Sequence, residues 1–472
     1  MTRTVAIVGR TLCGWIAAAA LAHQLPRGRY RIIVVDTDAD SEEGALDGFG
    51  DFAPVIAVPP QAAAFHAGLG LDEHAILRAT GGGHALGVAF GGWRGDGAAA
   101  FLPYGETGAP LEGVAFHQLV ARVRATGREI RLADYSVAAL AAQAGRCAPA
   151  SIPHALHLPT ARYRALIRAA ALKAGVEHAP APLASAAIDA AAIVTRLALA
   201  DGSTIPPLLV LDCSGVTARI AQQVAPALED WSRWLPCDRR HVEVIAARGT
   251  PPPYSQVDAN DAGWTATWPL NGMDVRLTCS ANGSGERFRA GRRVDAWRGN
   301  CVALGAAAGM LKPLHPTALT LLLSSLARLI QLWPANSLAP VEAVAFNRAT
   351  AAAWDGARDF VVAHHNVAGR AGPFWDERRA VVMPERLEAK RALFAARGRV
   401  PMFDEEPFDE ADWTAMFDAL GLVPRRYDAR ADRIALTAIE QHLAEQRTRA
   451  IAQVRALPRY IDAMAPLWRA AA

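Results

Sequence analysis

Residues 4–36 read TVAIVGRTLCGWIAAAALAHQLPRGRYRIIVVD. Thr4 to Val8 is a short apolar run with β-branched residues, the pattern of a buried parallel strand. Gly14 to Leu25 is rich in Ala and free of Pro, which predicts a helix, and Pro26 and Gly28 stop it. Arg31 to Val35 is a second buried strand ending on Asp36. Strand, glycine turn, helix, strand and terminal acid make a βαβ unit, the opening of a dinucleotide-binding sheet. The turn, Gly9-Arg10-Thr11-Leu12-Cys13-Gly14, carries the first and third glycines of GxGxxG and has Thr11 at the second. That second glycine lets backbone N–H groups approach a pyrophosphate. A β-branched Thr11 there predicts weakened nucleotide affinity. Asp36, 22 residues beyond Gly14, fits either the acid that holds an adenosine ribose or an ordinary strand-end acid beside a turn.

After this unit, Gly44 to Gly113 is irregular and glycine-rich, the kind of long loop region that is usually functional or mobile. A helix is expected near Thr160 to Ala174. Strands follow at Ile193 to Leu199 and Leu208 to Leu211, joined through Asp201-Gly202. The second ends in Asp212-Cys213-Ser214-Gly215, which either faces a cofactor or turns the chain. From Val242 to Cys279 the alternation predicts an antiparallel sheet. From Thr317 onward the pattern is mostly helical, with a last helix around Ile434 to Ala456. The expected fold class is therefore α/β: a Rossmann-like, dinucleotide-binding core over 1–316, with an inserted antiparallel sheet at about 242–285, and a mostly helical C-terminal lobe over 317–472.

Composition excludes several classes. The 472 residues carry 49 Lys+Arg against 46 Asp+Glu, a net charge of +3, with 52% hydrophobic and 20% charged. This balance excludes a strongly basic nucleic-acid binder and an acidic disordered tail. At roughly 150 residues per domain, two to three lobes are expected. The six cysteines form no CxxC pair and no His lies at zinc spacing, so no metal site is expected. Gly9, Arg10, Thr11 and Gly14 interrupt the apolar N-terminus, which suits a strand and turn better than a signal peptide. No other window reaches about 18 to 20 apolar residues. The reading is a cytoplasmic chain with reduced thiols and no membrane or nucleic-acid partner.

Ordered segments add a family. VAIVGRTLCGWIAAAAL resembles the opening of the FAD-dependent tryptophan halogenases. DGFGDFAP, with Gly50, resembles their flavin segment, and LGLDEHAILRATGGGHALGVAF resembles their lysine-bearing loop. LADGSTIPPLLVLDCSG, EDWSRWLPCDR, AGWTATWPL, NCVALGAAAGMLKPLHPTAL and RDFVVAHHNVAGRAGPFW follow in family order, over roughly residues 4 to 430. The resemblance implies FAD held by Gly9, Thr11, Cys13, Gly14, Asp36, Gly50, Gly305, Thr317 and Ala318. It also implies a flavin reductase as partner, a small aromatic or peptidyl substrate, and room for a homodimer. The substrate pocket it implies includes His84, Ala85, Trp264, Trp268, Phe374 and Trp375.

The positions that carry the family's chemistry differ. In the family, halide is oxidised at the flavin and hypohalous acid travels a tunnel to a lysine. That lysine falls on Ala85, which can neither form a haloamine nor donate a hydrogen bond. The family's glutamate falls on His315 and its serine on Pro316; His315 remains a possible base, and Pro316 offers no N–H donor. In the Trp-x-Trp-x-Ile-Pro signature, Trp264 and Pro269 stay, while Ala266 and Trp268 replace the second Trp and the Ile. His364-His365 has helix packing as its default explanation. Three functions compete: a monooxygenase-type flavoprotein on an aromatic, indole-like or peptidyl substrate; an inactive halogenase-like binding module; and, last, a halogenase with a rearranged site.

Overall fold

The computed structural model describes residues 3–38, 54–148, 151–311, 314, 317–334 and 339–471. Gly50, His315 and Pro316 lie outside the described residues. The βαβ opening forms over Arg3–Val8, Leu12–Gln24 and Tyr30–Val35. Val5 and Ile7 enter one hydrophobic cluster, Ala6 and Val8 another. Side chains alternate along a strand, so one covered on both faces has to be apolar throughout. The helix is buried from Leu12 to Leu21, between this sheet and the helix Thr160–Lys173. Each fully buried Val, Leu or Ile here contributes about 1.5–3 kcal/mol.

The sheet has six strands in the order Trp297–Arg298, Cys301–Ala303, Leu209–Asp212, Arg3–Val8, Tyr30–Val35, Glu177–Ala179, parallel apart from the first pair. The two strands joined through Asp201-Gly202 enter different sheets. Val194–Leu199 pairs with Leu183–Ile188 and with the short Thr204–Ile205. Leu209–Asp212 crosses into the parallel sheet beside Arg3–Val8. Pro206 and Pro207 lie between, and prolines cannot donate to a continuing ladder.

The inserted sheet is larger than its sequence signal and not wholly antiparallel, since Ser255–Asn260 pairs in parallel with Gly87–Gly91. Arg239–Ala246, Ser255–Asn260, Gly263–Leu270 and Met273–Ser280 are joined by Glu286–Arg287 at one edge and by Gly87–Gly91 and Ala100–Pro103 at the other. The last two come from the glycine-rich region, which is thus more ordered than a loop. Glycine is what permits the pairing: a Cβ on Gly87 would sit 2.4 Å from Leu102 O. A further three-stranded sheet pairs Val55–Val58 and Gly83–Ala85 with Ala155–Pro159.

The C-terminal part is helical, including Thr317–Gln331, Pro340–Val367 and Leu436–Ala456. One helix lies beyond the expected last, Tyr460–Ala471. It closes onto the N-terminal half: Trp468 Nε1 donates to Gly82 O at 2.9 Å, and Tyr460 Oη accepts from His84 N at 2.9 Å. Both large hydrophobic clusters accordingly draw residues from both halves of the chain. Among the described residues, no helix is long and apolar enough to cross a membrane.

Candidate functional site

At the end of Arg3–Val8 the chain turns on Gly9, whose φ of +104° favours glycine. A Cβ there would lie 2.6 Å from Cys213 O, and one on Gly14 would lie 2.1 Å from Gly9 O. These are the tight-turn and close-packing duties of the first and third fingerprint glycines. Thr11 does not project its hydroxyl out of the turn. Oγ1 accepts from Gly14 N at 3.2 Å, capping the helix, and donates to Cys213 O at 2.9 Å. Cys13 is fully buried. Asp36 is buried at the strand end, 2.7 Å from His178 Nε2 and 3.5 Å from Arg10 Nε.

Asp212-Cys213-Ser214-Gly215 turns the chain, and its acid ties the site together. Asp212 is 0% exposed. Its Oδ1 accepts from Ser214 N (3.0 Å) and Ser214 Oγ (2.6 Å), and its Oδ2 from Ile220 N (2.8 Å) and Ala221 N (2.7 Å). Around this knot, Cys213 N donates to Val8 O and Leu304 N to Asp212 O. The Gly9 turn and the Gly305 segment are thereby fixed relative to one another.

Beyond Gly305 lies a cavity enclosing about 1230 Å³ of atom-free space, part of it open to solvent. Gly305, Thr317 and Ala318 form one side; Tyr104, Trp268, Phe288 and Trp354 furnish aromatic surface. Ala266 also lines it. In Gly263–Leu270, Trp264, Ala266, Trp268 and Leu270 share the buried face, so the small side chain at Ala266 leaves room that a larger one would fill. The Tyr104 hydroxyl is buried without a hydrogen-bond partner among the described residues. Burial pushes its pKa above the usual phenol range, so it stays protonated as a donor. Among the described lining residues Arg240 is the one cationic group and no lysine is present.

The residues assigned to a substrate pocket are only partly brought together. Trp268 lines the cavity; Ala85, Trp264, Phe374 and Trp375 do not. Ala85 is 0% exposed within Gly83–Ala85. Trp264 and Trp375 are fully buried, and Trp375 Nε1 donates to Asn260 O. Phe374 packs edge-on against Trp375. His364 and His365 are buried in Pro340–Val367, each Nδ1 bonded four residues back, to Phe360 O (2.8 Å) and Val361 O (3.0 Å). Burial pulls the His364 pKa down to about 4, so it is a neutral core residue.

His84 turns away from the cavity toward a cluster that local spacing does not reveal. Its Nε2 lies 2.8 Å from Glu73 Oε1, and His154 Nε2 lies 2.9 Å from Glu73 Oε2. Burial works against the charge on Glu73, but the bonds from His154 and His84 outweigh it and hold the carboxyl well below its usual range. Burial lowers His84, with the Glu73 bond opposing it only in part. At His154 burial is overcome by the Glu73 and Ile152 bonds, and the pKa rises. No sequence signal joins positions 73, 84 and 154, because strand pairing and the placing of the helix Glu73–Thr80 make them neighbours.

The family model for tryptophan halogenase matches residues 4–276 and 273–435. The fold superposes on BrvH, a flavin-dependent halogenase from Brevundimonas sp. BAL3, with a TM-score of 0.91, 30% identity and 99% of each chain covered. Tryptophan 6-halogenase ThaL of Streptomyces albogriseolus is 23% identical over 487 residues, 90% of each chain. Tryptophan 6-halogenase SttH of Streptomyces toxytricini is 24% identical over 265 residues, and that match spans 50% of its length.

Proposed function

The chain belongs to the tryptophan halogenase family, and from that premise we propose that it is a flavoprotein of monooxygenase type that holds an aromatic, indole-like or peptidyl substrate and has lost ordinary halogen transfer. The family's cofactor is FAD. The residues present fit it: the Gly9 turn keeps the glycine geometry of a phosphate-binding βα unit, the start of Leu12–Gln24 offers N–H groups toward an anion, and Thr11 is engaged within the turn. When bound, FAD supplies the redox chemistry, with a flavin reductase as the partner this reading requires.

The observation that carries the proposal is the cavity. It runs from Gly305, Thr317 and Ala318, the flavin-side residues by resemblance, to Trp268, Phe288 and Trp354, which exclude water and offer flat apolar surface. The buried Tyr104 hydroxyl can donate one hydrogen bond to a polar substituent of a bound ring. At the family's lysine position, Ala85 presents a sealed methyl group with nothing to bind or deliver an oxidised halogen. His315 and Pro316 stand where the family has glutamate and serine.

The test combines binding with turnover. Purified protein is expected to take up FAD, seen as a yellow flavin spectrum that survives gel filtration, and to quench tryptophan fluorescence with aromatic ligands. With FAD, a flavin reductase and chloride or bromide it is expected to yield no halotryptophan. Halotryptophan above a no-enzyme control refutes the loss of halogenation. A colourless protein that rejects added FAD refutes the flavoprotein reading and leaves the binding module.

A further inference from the structure

Glu73, His84 and His154 lie apart from the flavin-side cavity; that cavity and the cleft beside this cluster share no lining residue. Glu73 opens the helix Glu73–Thr80, His84 is the middle residue of Gly83–Ala85, and His154 directly precedes Ala155–Pro159. Pairing of the two strands, with His84 opposite Leu156, sets the imidazoles edge to face with centroids 4.9 Å apart. One ligand atom from each of the three residues lies within 4.8 Å of the others.

The hydrogen-bond count leaves one position open. His154 Nδ1 is 2.8 Å from Ile152 O. A carbonyl only accepts, so Nδ1 carries the hydrogen, and in the neutral ring Nε2 is a lone pair. That lone pair faces Glu73 Oε2 from 2.9 Å. Two acceptors at this distance need a positive charge between them, either a proton or a metal ion. Three features favour the ion. An Nδ1–H bond to a backbone carbonyl is the contact that fixes ring and tautomer of a metal-ligating histidine. His84 Nε2 meets the other oxygen of the same carboxylate at 2.8 Å, so two imidazoles and a carboxylate converge, a donor set zinc-class ions take. A cleft lined by Glu73 and His154, with His66 and Ser151 nearby, reaches the cluster from solvent and leaves room for a water on the ion. A tetrahedral ion at about 2.0–2.1 Å holds its ligands roughly 3.3 Å apart, between the 2.8 Å of the His84–Glu73 contact and the 4.8 Å that bounds the three ligand atoms.

We propose that Glu73, His84 and His154 bind a zinc-class divalent ion whose remaining position faces the cleft. The test uses the full chain, stripped with chelator and titrated with Zn²⁺ by calorimetry and with Co²⁺ by visible absorption; it needs no flavin, so its outcome is independent of the flavoprotein reading. One equivalent is expected to bind, with the affinity falling at least ~100-fold in Glu73→Gln and in His154→Ala, and with cobalt bands of a nitrogen and oxygen site. Where Glu73→Gln fails to fold by circular dichroism, His154→Asn near the cleft gives the same reading. Thiolate-to-cobalt charge-transfer absorption, unchanged affinity in the variants, or no Zn²⁺ uptake by the native chain each overturn the proposal, the last leaving a proton-bridged ion pair.

Discussion

Replacing Asp212 by Asn tests whether its turn is the joint between the two segments of the proposed flavin site. The buried carboxylate accepts four hydrogen bonds, two on each oxygen. An amide with its oxygen toward Ser214 sets its NH₂ against the N–H groups of Ile220 and Ala221, donor against donor. Flipped, it meets those two but confronts Ser214 N. Hydrogen bonds to a charged acceptor are worth about 1.5–3 kcal/mol each, and a stranded buried donor costs about 1–3 kcal/mol. One or two such losses give about 2–5 kcal/mol, roughly a 30-fold to several-thousand-fold change in the folding equilibrium. Because Asp212 O and Cys213 N hold Leu304 and Val8, FAD affinity is expected to fall in parallel. The assay is urea unfolding followed by tryptophan fluorescence, with FAD titration of the folded variants. Asp201 is the control: its Oδ1 makes the same pair of bonds, to Ser203 N and Ser203 Oγ, on an exposed turn. Asp201→Asn is expected to leave the midpoint where it was. An Asp212→Asn midpoint matching the native chain, or equal losses in both variants, would show that the Asp212 turn is not the joint.

Further outcomes follow from the same geometry. Thr11→Gly is expected not to raise FAD affinity in calorimetry, since the Thr11 hydroxyl caps the helix; Thr11→Val, which keeps the shape and loses the cap, is expected to cost about 1 kcal/mol in urea unfolding. Ala266→Trp is expected to fill the cavity and abolish aromatic ligand binding by fluorescence, at an overpacking cost of about 1–3 kcal/mol. His157 is buried and burial alone pulls its pKa down to about 3. The unfolded chain binds a proton near pH 6.5 and the folded chain does not until about pH 3, so the contribution of His157 is lost as pH falls through this window. Between about pH 7.5 and pH 5 the stability of His157→Leu relative to the native chain is expected to improve by about 2 kcal/mol; an unchanged gap counts against a neutral buried imidazole.

The βαβ opening and the helical C-terminal part are legible in the sequence, because burial on both faces of a strand and inside a helix leaves an apolar pattern any window can read; Glu177–Ala179 and Cys301–Ala303, too short to stand out, are not. Resemblance also aligns Ala85 with the family's lysine, an assignment that rests on the sequence. The remaining features depend on contacts between residues far apart along the chain. The roles of Thr11 and Asp212 depend on bonds to Cys213, Ile220 and Ala221 that only the crossing of Leu209–Asp212 beside Arg3–Val8 creates. Trp264 and Trp268 occupy the same face of one strand, yet only Trp268 reaches the cavity, an outcome of sheet position rather than residue type. His84 read as a neighbour of the missing lysine, but strand pairing turned it to Glu73 and His154. Spacing rules find ligands carried on one element. A cluster drawn from a helix start, a strand and the residue before another strand exists only once the chain has folded.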